Sequence, residues 1–265
     1  MTIAIVAAMP EELAPLRARL AGPVRTEPTS LRAEPTSLRA QPTSLRSLVV
    51  ERGRLGGHDV ALAATGDGAR NAREGVAALL AVSDARALIV IGVSGALSPE
   101  LATTDLIVAS RVVDEDGGGH DADVESVAAA TRATGGRPAV IMSARRIADS
   151  VDEKRRLARQ AGGGLAVVDL ESASYVAAAG GAGIPWIVLR AVSDSAGEAL
   201  PALLNRSLDA GGAVSRGRVL RGLLGDPGAL PVLLTLRKRV AECALVLARA
   251  AEATLPQCLA ARGAA

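Results

Sequence analysis

Ala87-Leu-Ile-Val-Ile-Gly-Val93 is the stretch on which the fold turns. Every residue except Gly92 is apolar and most are β-branched, as in a strand covered on both faces. Thr2-Ile-Ala-Ile-Val-Ala-Ala8 repeats the character upstream, and Trp186 to Ala191 repeats it downstream. Between them, His58 to Ala64, Leu106 to Ala109, Pro138 to Met142 and Ala166 to Leu170 read as further strands, with Ser47 to Glu51 pairing back across the Gly56-Gly57 turn. Helical patterns fill the gaps: Pro10 to about Leu20, from after Gly68 to about Val82, Ser150 to Gln160 as an exposed helix, and one opening near Glu171. Arg111 to Asp123 reads as a polar, glycine-rich loop. Apolar strands alternating with helices predict a three-layer α/β/α fold with a mostly parallel central sheet.

The 265 residues suit a single domain over 1–265, with two additions. Glu27-Pro-Thr-Ser-Leu-Arg-Ala33 recurs at 34–40 and, with Gln41 first, at 41–47. Each copy carries a proline and one leucine, which suits neither a coiled coil nor a stacked solenoid, so 27–47 reads as a tandem insertion in a surface loop. From about 205 to 265 the pattern is a helical C-terminal extension. Leu230 to Thr254 has apolar residues at helical spacing, with Arg237, Lys238 and Arg239 on another face. A core-packed helix is the plain reading, and peripheral contact with a membrane is the sharper one.

Composition narrows the function. A net charge of +2, from 30 basic and 28 acidic residues, gives no cationic field for nucleic acid. No apolar run is long enough for a membrane span, and Pro10-Glu11-Glu12 cuts short the only stretch resembling a signal peptide. Cys243 and Cys258 show no pairing pattern, which fits a reduced, cytoplasmic protein. No metal-ligand spacing occurs, and neither His58 nor His120 stands in a catalytic pattern, so no metal or cofactor is expected. With no Phe, one Tyr and one Trp, any base-binding pocket must be lined by aliphatic side chains and backbone.

In sheets of this kind, ligands sit beyond the carboxyl ends of the strands. Glu11-Glu12, Gly66-Asp-Gly68, Gly92-Val-Ser-Gly95, Asp169-Leu-Glu171 and Ser193-Asp-Ser195 all fall at such ends. Each alone has an ordinary explanation: a helix-start charge for Glu12, a cap for Glu171, a turn for Asp194. Together they read as an active site. Gly66-Asp-Gly68 is no dinucleotide fingerprint, because Asn71 stands where the third glycine belongs.

Ala7-Ala-Met-Pro-Glu-Glu-Leu13, Val90-Ile-Gly-Val-Ser-Gly-Ala-Leu97, Thr104-Asp-Leu-Ile-Val-Ala109, Val168-Asp-Leu-Glu-Ser172 and Arg190-Ala-Val-Ser-Asp-Ser-Ala196 occur in an order that resembles the purine nucleoside phosphorylase and methylthioadenosine/S-adenosylhomocysteine nucleosidase family, over roughly residues 1 to 200. The resemblance implies a nucleoside phosphorylase-like fold and cleavage of a purine N-glycosidic bond by water or phosphate. It implies that Asp194 protonates the leaving purine and so must carry a proton near neutral pH, through burial or nearby carboxylates. Glu12 would activate water and Glu171 would hold the ribose hydroxyls. Leu170, Ser193, Gly66, Gly68, Val93, Ser94 and Gly95 would line the substrate, with Ser193 and Arg190 positioning Asp194. A homo-oligomer is implied too.

Several positions depart from that family. Val90 stands where hexameric phosphorylases carry a phosphate-gripping basic residue, and Asp67 puts a negative charge in an anion loop; both favour water. Leu170 replaces a Met, Ala96 replaces a Gly, and the base-stacking aromatic has no counterpart near Ile147 and Ala148. These changes keep a second reading open, a non-catalytic nucleoside-binding protein. The tail from Arg216 through Pro227 and on to Ala248 resembles, in general character, hopanoid-associated phosphorylases, implying adenosylhopane as substrate.

Overall fold

The computed structural model describes residues 1–26, 48–208, 218, 223 and 225–260, so the repeat at 27–47 lies outside it. In chain order the elements are β1 (Thr2–Ala7), α1 (Pro10–Arg17), β2 (Ala21–Thr26), β3 (Val50–Leu55), β4 (His58–Ala64), α2 (Ala69–Ser83), β5 (Ala85–Ala96), β6 (Leu106–Asp114) and β7 (Gly119–Asp121). There follow α3 (Val124–Thr134), β8 (Arg137–Ser143), α4 (Val151–Gln160), β9 (Ala166–Asp169), α5 (Ser172–Gly181), β10 (Trp186–Asp194), α6 (Leu203–Arg206) and the long α7 (Leu230–Ala260).

All ten described strands form one sheet with β5 as its hub. β5 pairs in parallel with β1 and with β10, and its last residues, Gly95 and Ala96, pair antiparallel with β9. From β10 the sheet passes to β6, β8 and β9, and so returns to β5 as a closed, barrel-like ring. β1, β4, β3 and β2 extend from the ring as an open wing.

This corrects the expected mostly parallel sheet. The pairs β1–β4, β1–β5, β5–β10, β6–β8 and β8–β9 are parallel. The pairs β2–β3, β3–β4, β5–β9, β6–β7 and β6–β10 are antiparallel. An apolar run reports that both faces of a strand are covered. A closed ring filled by its own side chains covers them as well as two helical layers do, whatever the strand direction.

Two local expectations also change. The expected loop 111–123 is in part a hairpin: β6 runs on to Asp114, and β7 returns with Asp121 opposite Arg111. Asp123 then starts α3 by accepting the Ser126 N–H at 2.8 Å. Nor is α4 simply exposed, because Lys154 and Leu157 are buried against the barrel.

The core lies on both sides of the sheet. α2 and α5 cover one face through Val76, Leu79, Tyr175 and Val176. α7 covers the other, burying Cys243, Leu247, Ala251 and Leu255 in a cluster with Leu13, Ile89 and Leu189. The Cys243 thiol donates to the Val192 carbonyl at 3.2 Å, which ties α7 to the functional end of β10. No helix among the described residues is long and apolar enough to cross a membrane.

Leu247 is fully buried, whereas Leu234 on the same helix is 56% exposed. Leu247→Ala is therefore expected to cost about 2–5 kcal/mol in urea unfolding, and Leu234→Ala no more than about 0.5 kcal/mol. Equal losses at the two positions would show that α7 does not dock by this face.

Candidate active site

β1 ends at Ala7, and Pro10 opens α1 with its fixed φ. Glu12, at the third helical position, folds its carboxylate back. It accepts the Met9 N–H at 2.9 Å with one oxygen and the Val93 N–H at 2.9 Å with the other. A helix-start carboxylate is commonplace, but this one is 2% exposed and reaches across to the end of β5. Burial pushes its pKa up, and the two N–H bonds with the Arg190 charge offset only part of that.

The turn after β4 is tied to β1 by the Gly66 N–H, which donates to the Ala8 carbonyl at 2.9 Å. Gly66 and Gly68 adopt φ of 86° and 94°, a region that a side chain disfavours. Asn71 replaces the third glycine of a dinucleotide loop and braces this turn, donating to the Asp67 carbonyl at 2.8 Å. The Gly68 N–H points at Glu171 and donates to its carboxylate at 2.9 Å.

Glu171 stands where β9 gives way to α5, 7% exposed. Burial first, then the neighbouring Asp169 charge, push its pKa up to about 8. Behind it Tyr175 is fully buried, its hydroxyl 2.5 Å from Thr65 Oγ1, with burial and the Glu171 charge raising its pKa further.

Arg190 is the largest fully buried side chain. Its guanidinium is ion-paired to Asp169 and donates to Ser172 Oγ at 2.8 Å, while Ser143 Oγ donates to Asp169 at 2.7 Å. A Cβ on Gly92 would stand 1.8 Å from an Arg190 nitrogen and 3.1 Å from a Glu12 oxygen, so only glycine admits this packing. The sequence-based assignment of Arg190 to Asp194 is therefore corrected. β10 shifts register between Val192 and Asp194, which breaks the alternation that would put both on one face.

The cation on Asp194 is Lys154, from α4. Its ammonium donates to Asp194 Oδ2 at 2.5 Å, to the Ser195 carbonyl at 2.7 Å and to the Glu198 carbonyl at 2.9 Å. The Ser193 hydroxyl donates to the other Asp194 oxygen at 2.7 Å. Gly95 lies beneath, its missing Cβ 2.9 Å from the carboxylate. The nearby Ser94 hydroxyl is buried and has no hydrogen-bond partner among the described residues. Leu170 is half-buried and packs with Leu97, Met142, Ala148 and Leu157.

Glu12, Val93, Gly68, Glu171 and Arg190 thus form one connected group, with Ser94, Gly95, Ser193 and Asp194 beside it along β5 and β10. Asp169, read in the sequence only as part of the Asp169-Leu-Glu171 cluster, joins them, as do Lys154, Thr65 and Tyr175, which sequence reasoning assigned no role. His58 in β4 and His120 in β7 take no part in these hydrogen bonds. No cluster of His, Cys, Asp or Glu suited to a metal ion occurs among the described residues. Chemically, the group offers buried carboxylates at graded proton affinities, backbone N–H groups already aimed, and few fixed cations.

Several known proteins share this arrangement of chain. The curated 5′-methylthioadenosine/S-adenosylhomocysteine nucleosidase of Mycobacterium bovis is 26% identical, over 84% of this chain and 97% of its own. The crystal structure of the S-adenosylhomocysteine nucleosidase of Streptococcus pyogenes superposes with a TM-score of 0.72 at 23% identity, covering 97% of both chains. The futalosine hydrolase of Helicobacter pylori gives 0.69 at 18% identity, covering 97% of this chain and 98% of its own. A family model described as the phosphorylase superfamily matches residues 2–212, from β1 to just beyond α6. The chain belongs to the phosphorylase superfamily.

Proposed function

We propose that this protein hydrolyses the N-glycosidic bond of an adenine nucleoside, with Glu12, Glu171 and Asp194 as its working carboxylates. The observation that carries the reading is the burial of all three, each fixed by a directed hydrogen bond, at the ends of β1, β9 and β10. Cleavage of C1′–N9 leaves an oxocarbenium-like sugar and a purine anion. Asp194 is the group beside the base, Glu171 accepts from the ribose hydroxyls, and Glu12 takes the proton of the attacking water. A carboxyl pushed up by burial is a stronger base than an exposed one, which suits Glu12 to that task.

Water is favoured over phosphate by the charges. Val90, where a phosphate-binding cation would stand, is a fully buried apolar residue. Asp67 adds negative charge beside Glu12 and Glu171. The likeness to the M. bovis nucleosidase, named for methylthioadenosine and S-adenosylhomocysteine, supports a 5′-modified adenosine. The aliphatic cluster of Ala148, Leu170, Leu97 and Met142 gives the site an apolar wall, and with the apolar tail this suits a nucleoside with an apolar 5′ group, small or lipid-like, with adenosylhopane as the extreme case. The salt bridge that engages Asp194 joins the missing base-stacking aromatic among the features that favour the non-catalytic alternative.

Adenine release from methylthioadenosine, S-adenosylhomocysteine, adenosine and adenosylhopane, each with and without phosphate, tests the proposal. Release from at least one without phosphate is expected, whereas strict phosphate dependence would make the protein a phosphorylase. Asp194→Asn is expected to lower kcat by roughly 10²–10⁴, and near-normal turnover would sink the mechanism. Stability should also depend on pH through Glu171. Its folded pKa of about 8 exceeds the ordinary value of 4.5, so the unfolded chain gives up that proton first. Stability is then full below about pH 4.5 and falls as pH rises through 8. Melting temperature measured from pH 5 to 8.5 should fall in the wild type and fall less in Glu171→Gln; parallel curves would refute the assignment.

A further inference from the structure

We propose that Lys154 supplies the proton that Asp194 passes to the leaving purine. This rests on the hydrolytic reading above and assigns that site a proton source. An ammonium has three N–H donors, and Lys154 places all three on oxygen: Asp194 Oδ2, the Ser195 carbonyl and the Glu198 carbonyl. Only the first of these acceptors can carry a full charge, and both side chains are nearly sealed, at 1% and 4% exposure. This is the bonding pattern of an ammonium facing a carboxylate. The proton that the purine anion needs therefore lies on Nζ, between the two groups.

Among the described residues the one other side chain bonded to Asp194 is Ser193, whose hydroxyl would have to become an alkoxide. Lys154 can give a proton and remain a neutral amine. The balance closes: the C1′–N9 bond breaks with its electron pair on the purine, and a proton moves from Nζ to Asp194 Oδ2. Asp194 in turn protonates the purine nitrogen and returns to carboxylate. Water adds its oxygen to C1′ and its proton to Glu12. The enzyme is left with a neutral amine at Lys154 and a protonated Glu12, and exchange of one proton through solvent resets both.

A purely structural role explains less. The turn from Ser195 to Glu198 is already closed by the Glu198 N–H to Ser195 carbonyl bond at 3.1 Å. It is also anchored to α7, because Arg239 holds both Glu198 carboxylate oxygens at 2.7 and 2.8 Å. Among the described residues Lys154 is the cation that Asp194 pairs with.

Lys154→Arg and Lys154→Met separate the possibilities, with folding checked by circular dichroism and affinity by a non-cleavable adenine nucleoside analogue. Arginine keeps the charge and the donors but holds its proton. Both variants are expected to lose roughly a hundredfold or more in kcat for adenine release, with analogue affinity changed no more than about threefold, a modest change beside the decades that Kd can span. On a 4-nitrophenyl riboside, whose phenolate leaves without a proton, the variants should match the wild type. Full rescue by arginine overturns the proposal, and so does an equal loss on both substrates. If the wild type does not cleave the aryl substrate, the arginine variant's kcat and affinity decide alone. A wild type that releases no adenine from any nucleoside refutes instead the hydrolytic reading on which the proposal rests.

Discussion

A guanidinium sealed inside a protein has to be compensated, because arginine does not give up its charge. Arg190 is that guanidinium, and its demands organise the mouth of the barrel. It excludes any side chain at Gly92, fixes Asp169 between itself and Ser172, and lies within the fields of Glu12 and Glu171. Two opposed effects act on each group. At Arg190 the carboxylates outweigh desolvation and the charge is reinforced; at Glu12 and Glu171 desolvation outweighs the one cation and both pKa values rise. A single guanidinium does not offset the desolvation of both, so each of these two carboxyls holds a proton more readily than an exposed one would.

The second cation differs in kind. Arg190 is a fixed charge on the side of Glu12 and Glu171, whereas Lys154 meets only Asp194 and two carbonyls. Lysine can lose its proton when buried and arginine does not, so the two positions are not interchangeable. The register shift in β10 keeps them apart, by turning Asp194 away from the face that Arg190 occupies.

Much of this was legible in the chain. Apolar runs located the strands, and Glu12, Glu171 and Asp194 stood out because carboxylates at strand ends have little reason to cluster without chemistry. The ring closure was hidden, since burial on both faces does not encode strand direction. Arg190 was noticed but misassigned, because a register shift leaves no mark in the residue types. Lys154 was overlooked because Val151 to Gln160 is dominated by charge and reads as a solvated face. A signal existed all the same: Val151, Lys154, Leu157, Ala158 and Ala161 form one helical stripe, and a lysine within an apolar stripe is a candidate for burial.

The same charge balance bears on the nucleophile. Glu12, Asp67, Asp169, Glu171 and Asp194 share this end of the barrel with Arg190 and Lys154, and both cations are already committed to protein oxygens. A phosphate dianion entering here would meet like charge, with each charged carboxylate repelling it by about 6–7 kcal/mol at roughly 5 Å and an effective dielectric near 20. It would gain no unpaired cation from Val90 in return. In the proposed hydrolysis water brings no charge, and its proton would go to a buried carboxyl whose pKa is already raised. The apolar residue at 90 and the acid at 67 therefore act in the same direction as the burial of Glu12.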